Sequence, residues 1–317
     1  MLLEIRDLKV IFHTIRGMVR AVNGVDLMLN QGEIIGLVGE TGSGKTVTGL
    51  SILRLLDQNA EIIDGKIIFD GRDLLKLPMN EMLKIRGKEI SMIFQEPKAA
   101  LNPVIPVGDQ VAESFMVHER ITKSEAKKRV IEMFNRVELP DPERIYKSYP
   151  HELSGGMAQR VVISMALALR PKLLIADEPT SALDVTIQAQ IMDLFKELVR
   201  QFKTSVIYIT HDMALAAEIS DKIAVMYAGR IVEVAKTEEI FEEPLHPYTR
   251  GLLRSIPDVK RRMKTLFSMP GEIPSMLNPP PGCLFHPRCP DKMEICERKV
   301  PILKKVDEHE VACFLYG

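Results

Sequence analysis

Apolar and charged positions alternate through residues 3–10, where Leu3, Ile5, Leu8 and Val10 fall between Glu4, Arg6, Asp7 and Lys9, and the period of two returns over residues 22–29. Such alternation predicts two half-buried strands forming a hairpin-like antiparallel layer. The next run, Ile34-Ile35-Gly36-Leu37-Val38, has no polar face at all. It reads as a strand buried on both sides in a parallel sheet. Further strands are predicted over residues 65–71, 90–94, 173–178 and 205–210. Between residues 97 and 150 the period lengthens, with helical patterning over 111–117 and 124–137 after prolines at 97, 103 and 106. This predicts a helical insertion in an α/β sheet, followed by a long helix from Met157 to Leu169. Beyond Phe241 the prolines at 244, 247 and 279–281 and the basic run Lys260-Arg261-Arg262 predict an extended connector, neither helix nor strand.

The candidate chemistry sits where the predicted strands end. Residues 39–46 read Gly-Glu-Thr-Gly-Ser-Gly-Lys-Thr between a strand and a helix. Gly39, Gly42 and Gly44 let the backbone fold around an anion, with Thr41 and Ser43 in the same cradle, and the helix start adds partial positive charge. Lys45 supplies a full charge to β- and γ-phosphates, and the Thr46 hydroxyl is a ligand for Mg²⁺. Gln95 ends the 90–94 strand, within reach of Mg²⁺ or an attacking water. Ser154, Gly155 and Gly156 open the helix that follows and repeat the anion-binding logic, although Ser-Gly-Gly before a helix is also a plain cap. An apolar strand delivers Asp177, suited to Mg²⁺, and Glu178, suited to general-base work. Asp184, at the end of Ser181-Ala182-Leu183-Asp184, caps another helix, and His211 follows the last strand, placed to contact a γ-phosphate. Phe12, between the first two strands, is either a platform for a purine or ordinary core.

Composition narrows what such a site belongs to. The chain has 317 residues, 46% hydrophobic and 27% charged, with a net charge of -1, which offers no general reason to bind nucleic acid or an anionic membrane. No apolar run approaches the ~18 residues of a membrane span and the N-terminus lacks a signal-peptide pattern, so a cytoplasmic protein is expected. All four cysteines, Cys283, Cys289, Cys296 and Cys313, lie in the tail. In a reducing compartment a four-thiolate set points to a metal, either tetrahedral Zn²⁺ or an iron-sulfur cluster, with His286 and His309 as substitute ligands. The wide, irregular spacing fits ligands wrapped round a cubane better than a tight zinc pair.

Residues 39–46, Gln95, 153–159, Asp177-Glu178, 181–184 and His211, in that order, resemble the Walker A, Q-loop, signature, Walker B, D-loop and H-loop of ABC transporter ATPases. The resemblance spans residues 1–245. It implies a P-loop ABC-type α/β fold with a mixed sheet core, an antiparallel β layer and a helical subdomain over 97–157. More narrowly, residues 149–157, 176–190 and 246–253 resemble the ATP-binding subunits of oligopeptide and dipeptide importers, a pattern that nickel and glutathione importers share. Met157 stands where the wider family most often has Gln, so no nucleotide contact is carried over to that side chain. The resemblance implies an ATPase at the cytoplasmic face of the cell membrane, working with a second, related ATP-binding subunit, two transmembrane permease subunits and an extracytoplasmic substrate-binding protein. It also implies a 4Fe-4S cluster in a small Cys-rich module within the extension 246–317. A soluble ABC ATPase of DNA repair or translation is the competing class. One cassette, a short insertion and the net charge of -1 argue against it.

Overall fold

The computed structural model describes residues 1–181, 183–256 and 269–317. Ala182 and the basic run Lys260-Arg261-Arg262 lie outside the described residues. The chain forms two compact units, one of residues 1–76 and 208–317, the other of residues 77–207.

In the first unit, β1 (Leu3–Thr14) pairs antiparallel with β2 (Gly17–Leu29), as the alternating pattern predicts. Both strands run longer than expected, because the exposed turn at residues 15 and 16 is shorter than the sequence suggests, and Phe12 lies within β1 opposite Val19. The buried run forms β3 (Ile34–Val38), which leads into α1 (Lys45–Leu53). β4 (Ala60–Phe69) pairs with β1 and β5 (Arg72–Asp73) closes this four-stranded layer.

The second unit holds α2 (Met79–Ile85), β6 (Ile90–Ile93), α3 (Val107–Glu119), α4 (Lys123–Arg136), α5 (Pro142–Lys147), α6 (Gly155–Leu167), β7 (Leu173–Asp177) and α7 (Val185–Phe202). The helical insertion is therefore present. α4 begins at a reciprocal capping box in which Thr122 and Glu125 satisfy each other's backbone N–H. β6 and β7 run parallel, and every residue of β7 is buried, which is what an uninterrupted apolar strand requires.

The chain re-enters the first unit within β8 (Ser205–Thr210) and continues through α8 (Met213–Ile219), β9 (Lys222–Tyr227), β10 (Arg230–Lys236) and α9 (Thr237–Glu242). β3 is parallel to β9, and β10 is antiparallel to β9, giving the mixed sheet. The expected extended connector is corrected at its start: residues 247–254 form the helix α10 (Pro247–Arg254). Pro247 occupies the first turn, where the missing N–H has no intrahelical role, and the His246 side chain caps the Tyr248 N–H. The tail also adds strands, β11 (Lys304–Val306) paired with β12 (His309–Val311), which in turn pairs with β10.

Among the described residues the tail has no separate core. Met276, Leu284 and Phe285 are buried among Val38, Ile223, Val225, Tyr227 and Tyr248, in the same cluster that backs β3 and β9. Burying side chains of this size contributes about 1.5–3 kcal/mol each. The tail is thus held by packing within the first unit, against β3 and β9, and its small size does not call for a metal.

Candidate functional site

Residues 39–46 form a loop between β3 and α1, as the sequence predicts. A side chain at Gly39 would place its Cβ 2.1 Å from the Met226 carbonyl, and Gly44, at φ 103°, has no room beside the Ala21 carbonyl at 2.5 Å. Only glycine fits either place. Lys45 is nearly buried and its Nζ donates to the carbonyls of Gly39, at 2.7 Å, and Glu40, at 3.1 Å. The N-terminus of α1 carries no side-chain cap and no acid in its first turn, and the fully buried Ser43 Oγ has no hydrogen-bond partner. An uncapped helix start and an orphaned buried hydroxyl fit a bound phosphate, which supplies acceptors to both. Thr46 is exposed on the first turn. His211 is exposed just after β8, and Phe12 is half-buried.

In the second unit, Gln95 follows β6 and Glu178 follows β7, and the parallel pairing of these strands brings the two side chains together. Gln95 Nε2 donates to Glu178 Oε2 at 2.9 Å. This bond, across 83 residues of sequence, was not predicted; its only signal was that both side chains end parallel strands at one sheet edge. Glu178 adopts φ 45°, and its carbonyl accepts from both the N–H and the hydroxyl of Ser181. Asp177 is buried at 4% exposure at the end of β7. Ser154 Oγ accepts from the Met157 N–H at 3.2 Å, and Gly155 and Gly156 begin α6. A Cβ at Gly156 would come within 2.9 Å of Ile187, so this turn also packs too closely for a side chain. Asp184 caps α7 by accepting from the Ile187 N–H at 3.1 Å.

The tail cysteines require a correction. Among the described residues no group of three or more His, Cys, Asp or Glu side chains is placed to hold a metal ion, and all four cysteines are free. Neither the iron-sulfur cluster nor its zinc alternative is supported, nor is a Cys-rich metal module. Burial pushes the thiols of Cys283 and Cys313 up and that of Cys289 up to about 11. Cys283 and Cys289 pack against the apolar cluster. Of the two histidines, His286 Nδ1 lies 2.9 Å from the Cys283 carbonyl and His309 Nδ1 lies 2.9 Å from Glu233 Oε1.

Comparison with known proteins agrees with the arrangement. Residues 22–181 match the ABC transporter family, and residues 232–296 match the oligopeptide/dipeptide transporter C-terminal region. The chain is 47% identical to the oligopeptide transport ATP-binding protein AppD of Bacillus subtilis, covering 99% of this chain and 97% of that protein. It is 48% identical to the oligopeptide transport ATP-binding protein OppD of Escherichia coli, covering 99% and 93% respectively. Among solved structures, a dimeric ATP-binding cassette in a post-hydrolysis state bound to ADP and Pi superposes with a TM-score of 0.67 at 28% identity, covering 74% of this chain and 99% of that one. The cbiO1 protein of Clostridium perfringens, part of an ABC transporter complex, gives 0.65 at 27% identity, covering 76% and 91%.

Proposed function

The chain belongs to the ABC transporter family, as an ATP-hydrolysing subunit, and we propose that its hydrolysis powers uptake of di- and oligopeptides through a membrane importer. The observation that carries the substrate class is the match over residues 232–296, which lies beyond the ATPase match at residues 22–181. Residues 1–245 serve as the ATPase module and 246–317 as a subfamily-specific extension. Among the described residues no helix is long and apolar enough to cross a membrane. In this reading two permease subunits provide the path, and this chain attaches to them at the cytoplasmic face. Phe94, Val104 and Ile105, exposed apolar side chains around the Gln95 loop, are the contact for a permease. An extracytoplasmic binding protein supplies the peptide.

ATP lies with its phosphates on the 39–46 loop, held by backbone N–H groups, Ser43 Oγ and Lys45, and Phe12 flanks its base. Mg²⁺, when bound, neutralises charge on the phosphates; Thr46, Gln95 and Asp177 are the residues that would hold it. Glu178 takes a proton from the attacking water onto its carboxylate, and the 2.9 Å bond from Gln95 orients that carboxylate. Gln95 uses its amide N–H₂ for this and keeps its carbonyl oxygen free to meet the metal. His211 contacts the γ-phosphate. Ser154, Gly155 and Gly156 close over ATP held by a second, related ATPase, with Asp184 at the same junction, so each complete site uses two chains.

Reconstituting the chain with two permeases, a second ATPase and a binding protein tests this reading. Peptide-loaded binding protein is expected to stimulate ATP hydrolysis and peptide uptake together. Stimulation by nickel or glutathione without any by peptide would overturn the substrate class.

A further inference from the structure

Glu40, the second residue of the phosphate loop, is gripped by the C-terminal tail. Arg288 Nη1 donates to Glu40 Oε2 at 2.7 Å and its Nη2 donates to Oε1 at 3.1 Å, a two-pronged fork between residues 248 positions apart. The Arg288 side chain is only 4% exposed. Its Nε donates to the Pro270 carbonyl at 2.9 Å, and its guanidinium lies 5.7 Å from the centre of the Tyr227 ring. The backbone of Glu40 is held as well, for its N–H donates to the Tyr248 hydroxyl at 3.0 Å. Tyr227, Tyr248 and Phe285 pack edge on face with ring centres 4.6 to 5.4 Å apart, so the anchors are themselves fixed. On the other side of the same residue, the Glu40 carbonyl accepts from Lys45 Nζ and from the Ser43 N–H, each at 3.1 Å.

We propose that Arg288 is a positioning residue for ATP, acting through Glu40, so that the tail sets the affinity of the phosphate loop. Two physical effects run through this one contact. The fork fixes the peptide that orients Lys45 and Ser43, and small displacements of a phosphate-holding group are expensive. It also neutralises a carboxylate that stands beside the place where a triphosphate binds; without Arg288 the Glu40 charge, on a side chain 31% exposed, would repel the nucleotide with only partial screening by water. A bidentate guanidinium is suited to both, because it matches the carboxylate plane and cannot lose its charge. Burial of this ion pair is costly unless both partners are in place, which is why the tail and the loop are expected to order together.

The proposal rests on ATP binding at residues 39–46 and not on the peptide substrate, so its test uses the isolated full-length chain and ATP alone, by titration calorimetry. Arg288→Met is expected to weaken ATP binding by about tenfold, the effect of losing one well-placed charge interaction. Adding Glu40→Gln to that variant removes the exposed repulsion and is expected to restore about threefold of the loss, an outcome that loss of folding in the tail would not produce. Arg288→Lys, which keeps the charge but not the fork, is expected to fall between wild type and Arg288→Met. Should Arg288→Met fail to fold, Arg288→Lys carries the test alone and is expected to weaken ATP severalfold, because it keeps the charge and loses the fork. Wild-type affinity in whichever of these variants folds, or a double variant no better than Arg288→Met, overturns the proposal. Failure of peptide to stimulate the assembled wild-type transporter would count against the transport reading alone and would leave this ATP-binding test standing.

Discussion

Two helix starts in this chain look alike in sequence and differ in structure. α1 and α6 both follow a loop of serine and glycine, yet α1 has no side-chain cap and α6 is capped by Ser154 Oγ on the Met157 N–H. At α1 the nearby serine, Ser43, is fully buried and its hydroxyl has no partner. The difference separates a site that waits for an anion from one that is satisfied on its own. An unsatisfied buried hydroxyl costs about 1–3 kcal/mol, a penalty that a phosphate oxygen removes on binding. The exposed, self-capped turn at Ser154 has no such penalty, which suits a surface that meets nucleotide only when a second subunit brings it.

The largest effect is expected away from both helix starts, at the base. Glu178→Gln keeps a group that can accept from Gln95 but cannot take a proton, and hydrolysis in the assembled transporter is expected to fall by about 10²-fold or more, since general-base catalysis supplies 10²–10⁴. ATP binding should be unchanged. Turnover near that of wild type would show that Glu178 is not the base, and that the two phosphate-facing helix starts suffice for the chemistry.

Next in size is the uncapped start itself. Gly44→Ala puts a Cβ at φ 103° and 2.5 Å from the Ala21 carbonyl, so the loop must shift. Backbone strain of this kind costs on the order of 1–3 kcal/mol, and ATP affinity in the isolated chain is expected to fall at least tenfold. If affinity survives, the cradle is not shaped by glycine at that position.

How far these features were legible depends on the distance over which they are built. The phosphate loop, the Asp177-Glu178 strand end and the helical insertion are local patterns, and local patterns survive translation from sequence to structure. Gln95 and Glu178 were each legible as strand ends, but their hydrogen bond arises from the pairing of β6 with β7 and has no local signal. The tail misled for a related reason. Pro247 reads as a breaker until His246 is seen to cap the helix that begins there, and the cysteines read as ligands because four thiols in a reducing compartment make a complete ligand set, in a short segment with no apolar run of its own. The missing core is supplied by β3 and β9 from elsewhere in the chain.

α10 provides a third helix start, and its cap is titratable. His246 Nδ1 accepts from the Tyr248 N–H, which requires the ring nitrogen to be unprotonated, and burial holds the His246 pKa down at about 3. The unfolded chain, with a histidine near the ordinary value, binds more protons between that value and the folded one, so stability falls as pH drops through this window. From pH 7 to pH 5 this single group is expected to remove about 2 kcal/mol. His246→Asn keeps a cap acceptor without the titration. Denaturant midpoints at pH 7 and pH 5 check it: the variant should lose about 2 kcal/mol less than wild type over that interval, and an equal loss in both would show that His246 is not the source.

The smallest effect returns to α6 and separates its two roles. In the isolated chain Ser154 does nothing beyond capping, so Ser154→Ala is expected to cost about 1 kcal/mol of stability, the usual loss when a serine cap is removed, and to leave ATP affinity at residues 39–46 unchanged. In the assembled transporter the same serine is proposed to meet ATP held by the second ATPase, where its hydroxyl would exchange the Met157 N–H for a phosphate oxygen. Turnover should then fall by more than the cap alone explains, since a hydrogen bond to a charged group contributes about 1.5–3 kcal/mol, or roughly 10- to 100-fold in rate if it forms mainly in the closed state. Ser154→Asp sharpens the contrast. It preserves the cap, because aspartate accepts the same N–H, yet it sets a negative charge toward the phosphates. Thermal unfolding of the isolated variant should match wild type, while turnover of the assembled transporter should fall below that of Ser154→Ala. If the aspartate variant turns over as fast as wild type, Ser154 is a cap in both settings and the two helix starts do not share a ligand.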